Sequence, residues 1–241
     1  MLERPLDEGF LSFLVDRTQG NPFFLEQTIL YLKEMNQLVL VNDKIALAEK
    51  TIAISYDIRA VLLARIDRLL PSVQETVQTA AVLGREFSLN VLRHMLANND
   101  QIDSHVLSAT RSTIWIRMLK LRYLFKHALL RDVAYQMQLQ SRRQKLHSLA
   151  FDSTLALYQA DLAPYYGELA YHAEQAQRYA DALIYLEKVG DVMAELFQNE
   201  LALDYYGRCQ KLLDEDGPIR DPDYQVAILR KQAEVYRVKS E

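Results

Sequence analysis

Apolar residues recur at helical spacing along most of the chain, and this pattern predicts a mainly α protein. Residues 6–37 predict two helices joined by the Gly-Asn-Pro sequence at 20–22, because glycine readily ends one helix and proline suits the first turn of the next. Helical spacing returns after Ser55 and predicts three compact helices, the last over 88–97, followed by a loop at 98–100.

Two segments interrupt the helices with patterns typical of strands. Residues 38–47 predict a short β-hairpin that turns at an Asn-Asp dipeptide. Residues 113–127 alternate apolar with basic side chains and predict extended structure. Three compact helices followed by a β-hairpin are typical of a winged helix, a relative of the helix-turn-helix. We therefore expect a small helical unit with a β-hairpin over 1–50 and a winged-helix domain over 51–150.

The last third of the chain resembles the helix pairs of tetratricopeptide repeats. Beyond Pro164, small and apolar residues fall at positions that this repeat prefers, but Ala182 and Ala202 are 20 residues apart, whereas a regular repeat has a period of about 34. The pattern predicts a degenerate tetratricopeptide-like array over 151–241. Since about three repeats are usually needed for stability, we expect the array to continue beyond Glu241 or to lean on the winged helix.

The composition is that of a soluble globular protein, with half of the 241 residues hydrophobic, a quarter charged and a formal net charge of −4. No stretch approaches the roughly 18 uninterrupted apolar residues of a membrane span. The single cysteine, Cys209, can form no internal disulfide, which fits a reducing compartment. We therefore expect a cytoplasmic protein without a membrane partner.

Basic residues concentrate in one block. Residues 111–147 hold nine of the 28 Lys and Arg residues but only one of the 32 acids, Asp132. Such a block can meet nucleic acid, nucleotide phosphates or the acidic remainder of the chain, and a solvated or internally paired face is the commonest outcome. For DNA, the helix predicted over 88–97 offers only Arg93 and His94 as base readers.

Signatures of catalysis and of metal binding are missing from the sequence. The seven glycines lie too far apart to build a G-x-x-x-x-G-K-[ST] phosphate loop, and there is no G-x-S-x-G motif. The five histidines and Cys209 show neither H-E-x-x-H nor C-x-x-C spacing. The sequence therefore predicts no catalytic residue, no metal site and no enzyme activity in this chain.

Two motifs nevertheless carry a family resemblance: GNPFFLE at 20–26 and FKHALLRDVAY at 125–135. Together they resemble the segment that follows the nucleotide-binding core in STAND ATPases, the signal-transducing relatives of AAA+ proteins found among bacterial cyclase-linked, kinase-linked and transcriptional regulators. The resemblance covers roughly residues 6–200. It implies a helical lid over 1–50, then the winged helix and the repeats, all downstream of a nucleotide-binding domain that is missing from this sequence.

The resemblance implies two nucleotide contacts. Pro22 would pack on the adenine ring, because a proline at a helix start presents a flat apolar face beside the free amides of that turn. His127 would approach the β-phosphate of ADP and hold the protein inactive, a role suited to a group that changes charge near neutral pH. The plainer alternatives are that Pro22 only starts a helix and that His127 caps local backbone. Lys126 and Arg131 are either phosphate contacts or ordinary surface charges.

These features lead to one main functional hypothesis and two alternatives. The resemblance implies a non-catalytic regulatory arm that couples nucleotide state to protein–protein interaction, with a protein or ligand effector at the repeats. ATP or ADP is expected in the full-length protein but is not expected to bind this fragment alone. The alternatives are a DNA-binding winged-helix regulator and a scaffold whose helical repeats bind a peptide or protein.

Overall fold

A computed structural model describes residues 4–48, 57–97 and 100–240. Helices dominate these residues, and two small antiparallel sheets accompany them, which confirms the predicted mainly α class. The predicted boundary between residues 50 and 51 lies outside the described residues, as do residues 98 and 99 of the loop predicted at 98–100.

The first unit, residues 4–48, consists of two helices and a β-hairpin: α1 (Glu8–Thr18), α2 (Pro22–Glu34), β1 (Leu38–Val41) and β2 (Lys44–Leu47). Gln19 and Gly20 both have positive φ and end α1, after which Pro22 opens α2 as predicted. The hairpin pairs Val41 with Lys44, so Asn42 and Asp43 form its two-residue turn, both in the left-handed region that such a turn requires.

The second unit has the order of elements of a winged helix. Its elements are α3 (Ile58–Asp67), α4 (Pro71–Leu83), β3 (Glu86–Ser88), α5 (Leu89–Met95), α6 (Ile102–Arg111), β4 (Trp115–Arg117) and β5 (Arg122–Phe125). The three strands form an antiparallel sheet in the order β3-β5-β4, with the β4–β5 hairpin as the wing. Phe87, Trp115 and Phe125 pack ring against ring beneath this sheet and are fully buried.

The helix that precedes the wing differs from the predicted one. The sequence interpretation assigned the recognition position to 88–97, but Ser88 pairs with Arg122 in the sheet, and α6 lies between α5 and the wing. α6 was missed although its buried residues have helical spacing: Ile102, Val106 and Ala109 face the core. The strand β3 was also missed, because three residues are too short to show an alternating pattern.

A run of helices completes the chain: α7 (Ala128–Gln136), α8 (Gln140–Tyr158), α9 (Tyr166–Gln175), α10 (Tyr179–Glu195), α11 (Asn199–Leu213) and α12 (Pro222–Ser240), with a short 3-10 turn at Ala163–Tyr165. From α8 onwards each helix packs against the next one. The 20-residue spacing of Ala182 and Ala202 relates two successive helices, α10 and α11, rather than two repeats. Helix pairs begin at Tyr166 and again at Asn199, a period of 33 residues, close to the tetratricopeptide value of about 34.

Helix α8 joins the winged helix to the repeats. The predicted boundary at 150/151 falls inside this helix. Ala150 packs with Val91 and Met95 of α5, whereas the next residue, Phe151, belongs to the core of the repeats. The two units therefore share a continuous helix with buried residues in both cores.

Two buried histidines lie at this joint. Nδ1 of His147 on α8 is 2.8 Å from Nδ1 of His172 on α9, and its Nε2 is 2.9 Å from the hydroxyl of Tyr135 on α7. Both imidazoles are fully buried. Burial lowers the pKa of His147 to about 4 and that of His172 to about 3, so both are neutral at neutral pH.

We expect the free energy of unfolding to decrease as the pH falls below the ordinary histidine pKa of about 6.5. In this pH range both histidines are protonated in the unfolded chain but stay neutral in the folded one. The free energy of unfolding therefore falls by up to about 1.4 kcal/mol per histidine for each pH unit. Urea unfolding at pH 7.5 and pH 5.0 measures this difference. Changing both His147→Gln and His172→Gln should remove most of it; an unchanged pH dependence in that double variant would contradict the assignment.

Candidate functional site

The two motifs that carry the family resemblance meet in the folded chain. His127 Nε2 lies 3.0 Å from Glu26 Oε2, and Lys126 Nζ donates to Glu26 Oε1. The ring of Phe23 lies against the imidazole of His127, with 4.2 Å between the ring centroids. The start of α2, which Pro22 opens, therefore lies against the β5–α7 junction, about a hundred residues later in the chain.

The side chain of Asn21 caps the start of α2, the helix that carries Phe23 and Glu26. The side chain of Asn21 accepts hydrogen bonds from the backbone N–H groups of Phe23 (3.0 Å) and Phe24 (3.1 Å). The expectation of free amides beside Pro22 is therefore wrong for these two groups, because the N-cap residue already occupies them. Pro22 is itself exposed, whereas Phe24 is buried in the core of the first unit. The proline thus both starts the helix and keeps an accessible ring.

His127 occupies the N-cap position of α7, but its side chain caps no backbone group there. The local capping role considered for this histidine is therefore wrong, and its ring bonds to Glu26 across the interface instead. Lys126 belongs to the same site. Arg131 does not: its Nε donates to the carbonyl of Ala81 at 2.7 Å, and its guanidinium lies over the ring of Tyr135.

At this contact the pKa of Glu26 and the pKa of His127 are both lowered, so the carboxylate is ionised while the imidazole is neutral. Burial opposes ionisation of Glu26, but the hydrogen bond and charge of Lys126, with the hydrogen bond of His127, prevail and lower its pKa. Burial is also the main reason that the pKa of His127 is lowered; Glu26 raises it, while Lys126 and Arg65 lower it further. His127 is therefore neutral at neutral pH and donates its Nε2–H to an ionised carboxylate. Two donors thus converge on one anion.

Arg65 fixes α2 to the winged helix beside this contact. Arg65 lies on α3 and is only 2% exposed. Its Nη1 donates to Gln27 Oε1, and its Nη2 donates to Glu34 Oε1 at 2.8 Å. The same Nη2 donates to the carbonyl of Ser112, 2.7 Å away, in the turn after α6. One guanidinium thus joins three elements that are distant in sequence.

The sequence interpretation found only part of this site. It named Pro22, His127 and Lys126, but it gave Glu26 and Arg65 no role in the site. Glu26 lies within the GNPFFLE motif, which was the available signal. Its partner could not be identified because the contact spans about a hundred residues.

Part of the basic block is paired internally. Among the described residues, four of its nine cations have an acidic partner: Arg122 with Glu86, Lys126 with Glu26, Arg131 with Asp132 and Arg142 with Glu75. Across the described ranges, no cluster of three or more His, Cys, Asp or Glu side chains is suited to hold a metal ion. Likewise, none of the helices in the described part of the chain has the length and apolar character of a membrane span.

Replacing Arg65→Met should lower the free energy of unfolding by about 3 kcal/mol or more, since Glu34 and Gln27 would lose a buried partner. Urea unfolding followed by circular dichroism measures the change. Arg93→Met is the matched control: Arg93 pairs with Asp103, whose side chain is 74% exposed, and should cost within about 1 kcal/mol. Equal losses in the two variants would show that Arg65 has no special role.

Comparison with known proteins adds no assignment to this site. No protein family, no curated protein and no solved structure matches the chain. Its function therefore has to be argued from the contact between Glu26, Lys126 and His127 and from the elements that hold it.

Proposed function

We propose that this chain is the regulatory, signal-sensing arm of a STAND-type ATPase and couples nucleotide state to protein–protein interaction. One observation carries the proposal: the start of α2 lies against the β5–α7 junction, so the two motifs of the family resemblance form one site. These two motifs are about a hundred residues apart in the sequence, and their side chains meet in the fold.

The donor set fits a nucleotide. Pro22 offers an exposed, flat ring for a base, and Lys126 and His127 supply two N–H donors for a phosphate. The chain has no phosphate loop, so a separate nucleotide-binding domain would hold ATP or ADP and supply the hydrolytic chemistry. This chain would contribute contacts that differ between the two nucleotide states, which is what a switch requires.

The fold provides a route from this site to the repeats. His127 directly precedes α7, and Tyr135 near the end of α7 contacts His147 on α8. α8 then packs on α9, the first helix of the repeats. A movement at the β5–α7 junction would therefore shift helices that are packed against the effector-binding region. In this proposal the protein is cytoplasmic, and its partners are the nucleotide-binding domain and a protein or ligand effector.

A DNA-binding role is the second candidate, and the winged-helix order of elements favours it. The side chains support it less well. The exposed positions of α6 are Asp103, Ser104, Leu107 and Arg111, which carry one acid and one base. Asp103 is exposed on α6, where it would face the phosphate backbone, and its ion pair at 2.5 Å engages Arg93, one of the two candidate base readers.

The pure scaffold role is supported by apolar side chains on the repeats. Leu196, Phe197 and Leu201 are 59%, 78% and 50% exposed around the α10–α11 turn. Exposed apolar groups of this size are typical of protein-binding surfaces. This surface is equally compatible with the regulatory arm, in which the repeats receive the signal.

In the polypeptide that includes the nucleotide-binding domain, His127→Gln should weaken ADP retention by about tenfold, the effect of losing one hydrogen bond to a charged group. Nucleotide content after purification and the rate of ADP release measure this. His94→Gln is the control, because His94 bonds to Ser153 on α8 instead. If the two variants retained ADP equally, or if the native protein contained no phosphate loop, the proposal would fail.

The purified chain by itself should show no ATP turnover, since it lacks a phosphate loop. A phosphate-release assay with millimolar Mg-ATP tests this, and the Arg65→Met variant offers a second preparation in which a contaminating ATPase would persist. Turnover that follows the intact protein through several chromatographic steps would contradict the proposed division of labour.

A further inference from the structure

The carboxylate of Glu26 occupies the donors that the proposed function assigns to a phosphate. Each of its oxygens takes one donor: Oε1 from Lys126 Nζ and Oε2 from His127 Nε2 at 3.0 Å. Because a carboxylate and a phosphate oxygen accept the same kind of charge-assisted hydrogen bond, an internal group holds the place of an external anion.

The surroundings make this pair of donors a built site. The side chains of Glu26, Lys126 and His127 are 20%, 27% and 26% exposed, so they are partly withdrawn from water and still accessible from it. The ring of Phe23 covers one side of the imidazole, and the same ring packs against the winged-helix core. Partial burial strengthens charge interactions compared with those on an open surface.

We propose that Lys126 and His127 form a binding site for a phosphoanhydride group and that Glu26 is its internal competitor, which must turn away before the anion binds. That the anion belongs to a nucleotide rests on the proposed function; the anion site itself does not. A phosphoanhydride carries more than one negative charge, whereas Glu26 offers a single charge, so the external anion gains more from the two donors and from nearby Arg65.

The release of Glu26 requires only a side-chain rotation. The backbone of α2 stays in place because Arg65 holds Gln27 and Glu34 on the same helix. Within the described residues, the Glu26 side chain has hydrogen bonds only to Lys126 and His127. A glutamate that swings outward from this half-buried position regains its hydration, which limits the cost of exchange.

The experiment is a titration of the full chain with inorganic pyrophosphate, followed by calorimetry and by the NMR signals of the His127 ring. Glu26→Gln keeps the size of the side chain and removes its charge, and we expect it to bind pyrophosphate at least about tenfold more tightly than the unmodified chain. The matched control is Glu75→Gln. It also removes one negative charge, but from an exposed pair with Arg142 at 3.0 Å, and should bind as the unmodified chain does.

Two results would overturn the inference. One is equal affinity of the unmodified chain, Glu26→Gln and Glu75→Gln. The other is a gain in Glu26→Gln that survives the added changes Lys126→Met and His127→Gln, because the anion would then bind elsewhere. Circular dichroism melting of each variant confirms that the fold is retained, and combining Glu26→Gln with His127→Gln alone provides a milder second test.

The same data separate this inference from the proposed function. If Glu26→Gln binds pyrophosphate more tightly, but His127→Gln and Pro22→Ala leave ADP retention in the longer polypeptide unchanged, the anion site stands and the nucleotide assignment fails. If Glu26→Gln binds pyrophosphate no more tightly than the unmodified chain while His127→Gln weakens ADP retention in the longer polypeptide, the competitor role of Glu26 fails and the proposed function stands.

Discussion

The buried guanidinium of Arg65 is the interaction on which the arrangement of the first two units depends. It donates to α2 through Gln27 and Glu34 and to the turn after α6 through the carbonyl of Ser112. Burying a charge is costly unless each of its N–H donors has an acceptor. These hydrogen bonds therefore fix the relative positions of α2, α3 and the turn after α6. The candidate site at Glu26 exists because this placement brings α2 to the β5–α7 junction.

Within that frame, the site is a balance between one carboxylate and two nitrogen donors. Lys126 and His127 keep Glu26 ionised despite burial, while burial keeps His127 neutral despite Glu26. The pair is therefore already organised to hold an anion before any external ligand arrives. In the proposed anion site, this preorganisation would lower the cost of binding and the internal carboxylate would offset the gain, an arrangement that suits a reversible contact.

The winged helix and the repeats are joined by apolar packing along α8 rather than by a buried charge. α8 is shared by two cores, with Ala150 packed on one and Phe151 on the other, and neutral histidines connect it to α7 and α9. In the proposed function, such a continuous helix would transmit a displacement more directly than a flexible linker would. Gly190 illustrates the close packing farther along: a Cβ there would lie 2.5 Å from the ring of Tyr206 on the next helix.

The sequence by itself determined whatever depends on neighbouring residues. Helical periodicity gave the mainly α class, Pro22 and the Asn-Asp turn gave the start of α2 and the β1–β2 hairpin, and the small residues indicated stacked helix pairs. It missed β3 and α6, and it took the spacing between two successive helices as a sign of a degenerate repeat. Only the tertiary structure decided that Glu26 meets Lys126 and His127 and that Arg65 reaches Ser112. These contacts join residues far apart in the chain, and no local pattern encodes which distant partner a buried polar group will find.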